Sequence, residues 1–150
     1  MRIPLANAKK KLTIVWFSGS GILFLLVLLQ TIFGKFPTDK AGDAWSWLLP
    51  TFMPTLLMIV GVLVADSKNH NQDFSELPTA DQFVFRLSFS LSIAYLLTAI
   101  LTILLGPFFE QVNAKEEKTI LDLMKMSNLW LAPFQGLVSA SLGAFFVSKK

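Results

Sequence analysis

Residues 12–33 read LTIVWFSGSGILFLLVLLQTIF, a run of 22 positions without a single Asp, Glu, Lys or Arg. Coiled as an α-helix, a run of that length spans roughly 33 Å, against a bilayer hydrocarbon core of about 30 Å. A secretory signal peptide has an apolar core of only about 7–15 residues, so the run is expected to be a retained span rather than a leader. Gly34 and Pro37 supply stop signals just beyond it, and Lys9, Lys10 and Lys11 stand just before it. This one stretch sets the fold class, because the same pattern returns three times along the 150 residues.

The second apolar block is Trp47 to Ala65, closed by Asp66, with Trp45 and Trp47 placed for an interfacial aromatic belt. Pro50 and Pro54 lie four apart in its first half. Proline suits a first helical turn, but Pro54 removes a backbone hydrogen bond deeper in the span, which predicts a kink, a late helix start or a hinge. The third block runs from Phe83 to Leu105, interrupted by Arg86 near one edge. Before it, Thr79-Ala80-Asp81-Gln82 matches a capping box, and after it Gly106-Pro107 is a stop signal. The fourth block, Leu129 to Val147, has Trp130 at one interface and Lys149-Lys150 at the other. Between them, Lys115 to Met126 places Ile120, Leu123 and Met124 on one face and Lys118 four residues before Asp122. It is expected to form an interfacial amphipathic helix leading into the last span.

The predicted fold is therefore all-α: a four-transmembrane-helix bundle with spans near 12–33, 47–65, 83–105 and 129–147, in one membrane domain covering 1–150. A polar loop at 66–82 lies on one side, and loops at 34–46 and 106–128 lie on the other. Composition agrees, with 53% hydrophobic and 15% charged residues. A soluble domain is nearer a quarter charged. Four spans put both termini on one side. With the termini inside, the cytoplasmic segments hold eight basic residues: Arg2, Lys9, Lys10, Lys11, Lys68, Arg86, Lys149 and Lys150. The outer loops hold five: Lys35, Lys40, Lys115, Lys118 and Lys125. Excess positive charge inside favours N-in and C-in, in the cell membrane, read here as a bacterial inner membrane. The net charge of +3 thus follows membrane orientation, and direct nucleic-acid binding is not expected.

Chemistry within a bilayer needs ionisable side chains, and the four blocks carry none at mid-depth. Proton-coupled export, voltage sensing and haem ligation lose their usual machinery. Zero cysteines remove thiolate ligands and nucleophiles, and the lone His70 sits in the Asn69-His70-Asn71 loop, where solvation accounts for it. Ser18-Gly19-Ser20-Gly21 has no histidine or lysine base within the spans, so close helix packing is the better reading. No catalytic, cofactor-binding or metal-binding residue is predicted, and the chain is not expected to be an enzyme.

What the interior offers is small and neutral. Ser88, Ser92, Tyr95, Ala99, Thr102 and Gly106 follow spacings of 4, 3, 4, 3 and 4, a stripe down one face of the third helix. Ala132, Gly136, Ala140 and Ala144 are each four apart in the fourth span, with Gln135 and Ser139 adjoining. Membrane helices associate through close packing of small residues and hydroxyl hydrogen bonds. The candidates Ser88, Ser92, Tyr95, Ala99, Thr102, Gly136, Ser139 and Ala140 therefore either hold the bundle together or face an oligomer axis or pore.

The polar loop offers a second candidate surface. Asp66, Asp73, Glu76 and Asp81 stand against a single Lys68, a charge balance that either docks a basic cytosolic protein or merely connects two spans. In size, span count and lack of chemistry, the chain resembles the small four-pass membrane subunits of bacterial antiphage defence systems of the Kiwa type. That resemblance implies a homo-oligomeric membrane sensor or anchor working with a cytosolic effector, touched through the 66–81 loop or the two basic tails. The expected function is a non-enzymatic oligomeric sensor or scaffold whose partners are the lipid bilayer, further copies of itself and a cytosolic protein. The alternative is a homo-oligomeric channel or pore lined by neutral residues of the third and fourth helices.

Overall fold

Apolar runs flanked by charge become helices in a computed structural model that describes residues 2–68 and 79–147. In chain order these are α1 (Leu5–Ile32), α2 (Ala41–Lys68), α3 (Gln82–Leu104), the short α4 (Gly106–Val112) and α5 (Ile120–Val147). Two three-residue strands, β1 (Arg2–Pro4) and β2 (Thr79–Asp81), pair antiparallel with Ile3 opposite Ala80. Four helices, α1, α2, α3 and α5, are long and apolar enough to cross a bilayer, making this an all-α multi-pass membrane protein. Their outer surfaces agree: Phe33, Leu129 and Phe83 are 81%, 78% and 71% exposed. Such side chains are stable outside the bundle where the surrounding solvent is hydrocarbon.

α3 is the central helix, packed on both α1 and α5, while α2 closes the ring against α1 and α5. The interior is built from Trp16 and Leu23 of α1, Leu48 and Ile59 of α2, Tyr95 and Ile103 of α3, and Leu142 and Phe145 of α5. Gly19 permits the α1–α3 approach, since a Cβ there would stand 2.6 Å from Leu96 Cδ1. The helices outrun the apolar blocks. α1 begins at Leu5, so Lys9 lies in its second turn, buried, with its ammonium 5.8 Å from the Phe146 ring centroid. That contact, together with the β1–β2 pair, sets the start of α1, the start of α3 and the end of α5 at one end of the bundle.

Three local expectations are corrected. The predicted interfacial helix over Lys115–Met126 is not a separate element: Ala114–Glu116 is a single 3-10 turn, and Ile120 onward is already α5. Charge interrupts hydropathy there without interrupting helix, because the helix continues past the hydrocarbon into water. Asp122 does not pair with Lys118. Its Oδ2 accepts from Thr119 N at 2.9 Å and Thr119 Oγ1 at 3.0 Å, a cap on the α5 entry, and Lys118 instead meets Glu116. The short helix lies upstream as α4, where Pro107 both ends α3 and opens the next helix at a position needing no N–H. Gly106 makes the corner possible, since a Cβ there would stand 2.5 Å from Ile120 Cγ1.

At the start of α3, Thr79 belongs to β2 and the cap is Asp81, whose Oδ1 accepts from Phe83 N at 2.8 Å. Gln82 faces forward to Arg86 rather than back to Thr79. In α2 both prolines lie inside one continuous helix.

Candidate functional site

Several buried polar groups of the bundle bond from one helix to another, and each of these bonds answers a local need. Pro54 has no N–H, so the carbonyl of Pro50, four residues earlier, loses its helical partner. In hydrocarbon such a carbonyl must find another donor. Gln135 of α5 supplies it: its Nε2 donates to Pro50 O at 3.0 Å and to Thr51 O at 3.2 Å. From α3, Tyr95 donates its hydroxyl proton to the same Thr51 O at 2.7 Å. The proline gap in α2 is thus spanned by side chains from two other helices.

Two tryptophan–serine bonds repeat the device elsewhere. Trp16 Nε1 of α1 donates to Ser92 Oγ of α3 at 3.0 Å, and Ser92 passes its own proton to Ser88 O at 2.7 Å. Trp47 Nε1 of α2 donates to Ser127 Oγ of α5 at 2.9 Å, and Ser127 donates to Met124 O at 2.7 Å. Ser88 Oγ crosses from α3 to Ser141 O of α5 at 3.0 Å. The Trp16 and Tyr95 rings stack with centroids 5.9 Å apart, and Phe134 meets Tyr95 edge-on at 5.6 Å. Three buried polar atoms, Ser20 Oγ, Gln30 Oε1 and Thr55 Oγ1, have no hydrogen-bond partner in this arrangement.

The α3 candidates come together in this core: Ser88, Ser92, Tyr95, Ala99 and Thr102 are all buried. The α5 candidates do not join them. Gly136 and Ala140 are exposed and Ser139 is half-buried, while the buried face of α5 carries Leu131, Val138, Leu142 and Phe145. Ala132 and Ala144 are exposed as well, so the four-residue repeat of small residues runs down the outside of the bundle. Of the loop candidates, Asp81 is exposed and caps α3. Asp73 and Glu76 fall outside the described residues, as does the side chain of Asp66. Sequence reading missed Trp16, Trp47, Ser127 and the role of Gln135. The one available signal was Pro54, which announces an orphan carbonyl without naming its donor.

At the opposite end from the termini, ion pairs tie the segments together. Glu110 of α4 accepts from Lys35 Nζ at 2.9 Å and, with its other oxygen, from Ile120 N at the start of α5 at 3.0 Å. Burial pushes its carboxyl up, but the Lys35 hydrogen bond, the Ile120 N–H and the Lys35 charge outweigh it and hold the group below its usual range. Lys125 Nζ meets Asp43 Oδ2 at 2.8 Å. An apolar groove of about 380 Å³ opens sideways between α3, α4 and α5, lined by Leu101, Leu105, Phe108 and Trp130 among others. Among the described residues, no group of three or more His, Cys, Asp or Glu is placed to hold a metal ion. No protein-family model, curated protein or solved structure matches the chain.

Proposed function

We propose that this protein is a non-enzymatic membrane scaffold that assembles into homo-oligomers through the outer face of α5 and anchors a cytosolic partner. The observation that carries the reading is the outward placement of Ala132, Gly136 and Ala140 on a helix whose other face is packed with Leu131, Val138 and Leu142. Small residues spaced by four let helix backbones approach closely, and in lipid that close packing replaces the hydrophobic effect as the source of association. The stripe hydroxyls of α3, those of Ser88, Ser92, Tyr95 and Thr102, are already engaged within one bundle, so the small residues open to a second copy come from α5. A pore reading draws its lining from that same contact, through Gly136, Ser139 and Ala140.

The charge distribution supports an N-in, C-in orientation in a bacterial inner membrane. The end bearing the termini holds eight basic against four acidic residues, and Lys10 and Lys11 there are exposed. The other end holds five lysines against six carboxylates, and Lys35, Lys118 and Lys125 are ion-paired there. The bias that bears on orientation is the count of basic residues, eight against five, with Lys9, Lys10 and Lys11 next to the first span. A cytosolic partner in antiphage defence meets the exposed lysines of α1 or the acidic 66–81 loop.

Native mass measurement after gentle-detergent purification from the host tests this. The expected result is a multiple of the chain mass with a stoichiometric soluble protein attached, reduced to a single chain by Gly136→Leu with Ala140→Leu. A wild-type preparation that is monomeric and alone defeats the scaffold reading. An oligomer that is alone but passes ions in planar bilayers moves the assignment to the pore.

A further inference from the structure

The groove between α3, α4 and α5 opens on the side where a membrane helix meets lipid. Its wall is made by Thr98, Leu101, Thr102 and Leu105 at the end of α3, Phe108 of α4 and Trp130 of α5, around a volume of about 380 Å³. Leu101, Leu105 and Phe108 are 50%, 51% and 64% exposed, so the bundle's own side chains do not close it. Both threonine hydroxyls in the wall are spent within α3, Thr98 donating to Ala94 O at 2.8 Å and Thr102 to Thr98 O at 2.9 Å. Water settles in such a recess only where it finds two to four polar partners, which a wall of this composition does not offer. What remains to meet an occupant is hydrocarbon, together with the Trp130 ring.

From Thr98 to Leu105 the helix rises about 10 Å, two thirds of the roughly 15 Å that one leaflet contributes to the hydrocarbon core. Spread over that depth, the volume corresponds to a cross-section of about 36 Å², less than half the roughly 80 Å² of a helix with its side chains. Width and depth therefore fit an alkyl chain better than a helix of a second copy. The mouth adds the headgroup. Asn113 lines the groove, and the turn that follows it carries Lys115, Glu116, Glu117 and Lys118. Lys118 is paired with Glu116. Among the described residues, Lys115 and Glu117 are in no ion pair, and both are exposed. One cation and one anion two residues apart match a headgroup that carries a phosphate and an ammonium. We propose that the groove binds one zwitterionic phospholipid from the leaflet at the end opposite the termini. An acyl chain lies along Leu101, Leu105 and Phe108, the phosphate meets Lys115 and the headgroup ammonium meets Glu117. The site belongs to a single bundle and requires neither the α5 contact nor a cytosolic partner.

Native mass spectrometry of the full chain in mild detergent, given an equimolar mixture of phosphatidylethanolamine and phosphatidylglycerol, tests this. A single phospholipid is expected to stay on each chain, phosphatidylethanolamine in preference to phosphatidylglycerol. Leu105→Trp fills the groove from its exposed rim and is expected to abolish the adduct with Tm unchanged; Phe108→Trp serves the same end if Leu105→Trp does not fold. Lys115→Ala is expected to weaken retention about twofold to fivefold, the range for one exposed ion pair. Phosphatidylcholine brominated on its acyl chain is expected to quench tryptophan fluorescence saturably at a single lipid per chain, an effect that Trp130→Phe removes. A chain that retains no lipid overturns the proposal, as does a preference for phosphatidylglycerol. A ladder of adducts that both groove-filling variants leave intact is ordinary surrounding lipid and overturns it too. Disulfide cross-linking of Leu105→Cys between copies, in a chain with no cysteine of its own, puts a second copy in the groove and overturns the lipid.

Discussion

At the scale of the residue, the pairing of Gln135 with Pro54 links a covalent fact to a tertiary one. Proline's missing N–H frees the Pro50 carbonyl, and the Gln135 amide reaches it from 85 positions away in sequence. If the two residues form one device, their substitutions are not additive. Gln135→Leu leaves Pro50 O without a donor and is expected to destabilise the protein by about 1–2 kcal/mol, within the range for hydrogen bonds between membrane helices. In a Pro54→Ala background the restored amide holds that carbonyl itself, and the same Gln135→Leu change is expected to cost about half as much or less. A double-mutant cycle by unfolding in micelles measures the difference. Equal costs in both backgrounds separate the two residues. The existence of the gap was legible from Pro54 alone. Its donor was not, because periodicity orders residues along one helix and carries no information about which helix stands opposite. Trp16 and Trp47 were hidden for the same reason: an indole at a membrane edge and an indole bonding a serine across the bundle look alike in sequence.

At the scale of the element, the helix ends show what hydropathy resolves. All four spans were visible as long apolar runs, three of them free of charge and the third broken only by Arg86, since the bilayer imposes that pattern directly. The extension of α5 back to Ile120 was not visible, because Asp122, Lys125 and Asn128 look like a boundary to a hydropathy reading although none of them opposes a helix. α4 was hidden by Pro107, whose fixed φ ends one helix and starts another equally well. The juncture of α4 and α5 is held by Glu110, and its protonation is expected to loosen that end of the bundle. The folded carboxyl titrates below its ordinary value of 4.5, so the stability it contributes is complete above about pH 4.5 and lost as the pH falls through the lower folded value. Glu110→Gln keeps an oxygen for the Ile120 N–H and loses the carboxylate charge together with the hydrogen bond from Lys35, which uses the other oxygen. Wild type is therefore expected to lose more Tm than Glu110→Gln between neutral pH and acid below about pH 4.5. Parallel Tm–pH curves for the two proteins would show that the ion pair contributes nothing.

At the scale of the whole molecule, two stripes that look alike in sequence lie on different sides of the bundle wall, one buried and one exposed. Both are small residues at helical spacing, and their periods alone do not say which is internal. The cross-helix bonds break the tie physically: Ser88 Oγ donates to Ser141 O of α5 and Ser92 Oγ accepts the Trp16 indole N–H of α1, whereas Ala132, Gly136 and Ala140 have no side-chain polar group to place and tolerate the lipid face. Enlarging one stripe is therefore expected to damage folding, and enlarging the other to damage assembly. Ser92→Leu overfills a fully buried position and strands the Trp16 indole N–H, with an expected loss of about 2–4 kcal/mol in the stability of the single bundle. Gly136→Leu, with open space around its Cβ, is expected to change that stability by no more than about 0.5 kcal/mol while lowering copy number. Unfolding at a dilution where the wild type is monomeric isolates the first effect, and chemical cross-linking in native membranes isolates the second. A Gly136→Leu protein that unfolds early when monomeric returns the α5 stripe to the interior of the bundle, and a Ser92→Leu protein that folds normally but fails to cross-link puts the oligomer axis on α3.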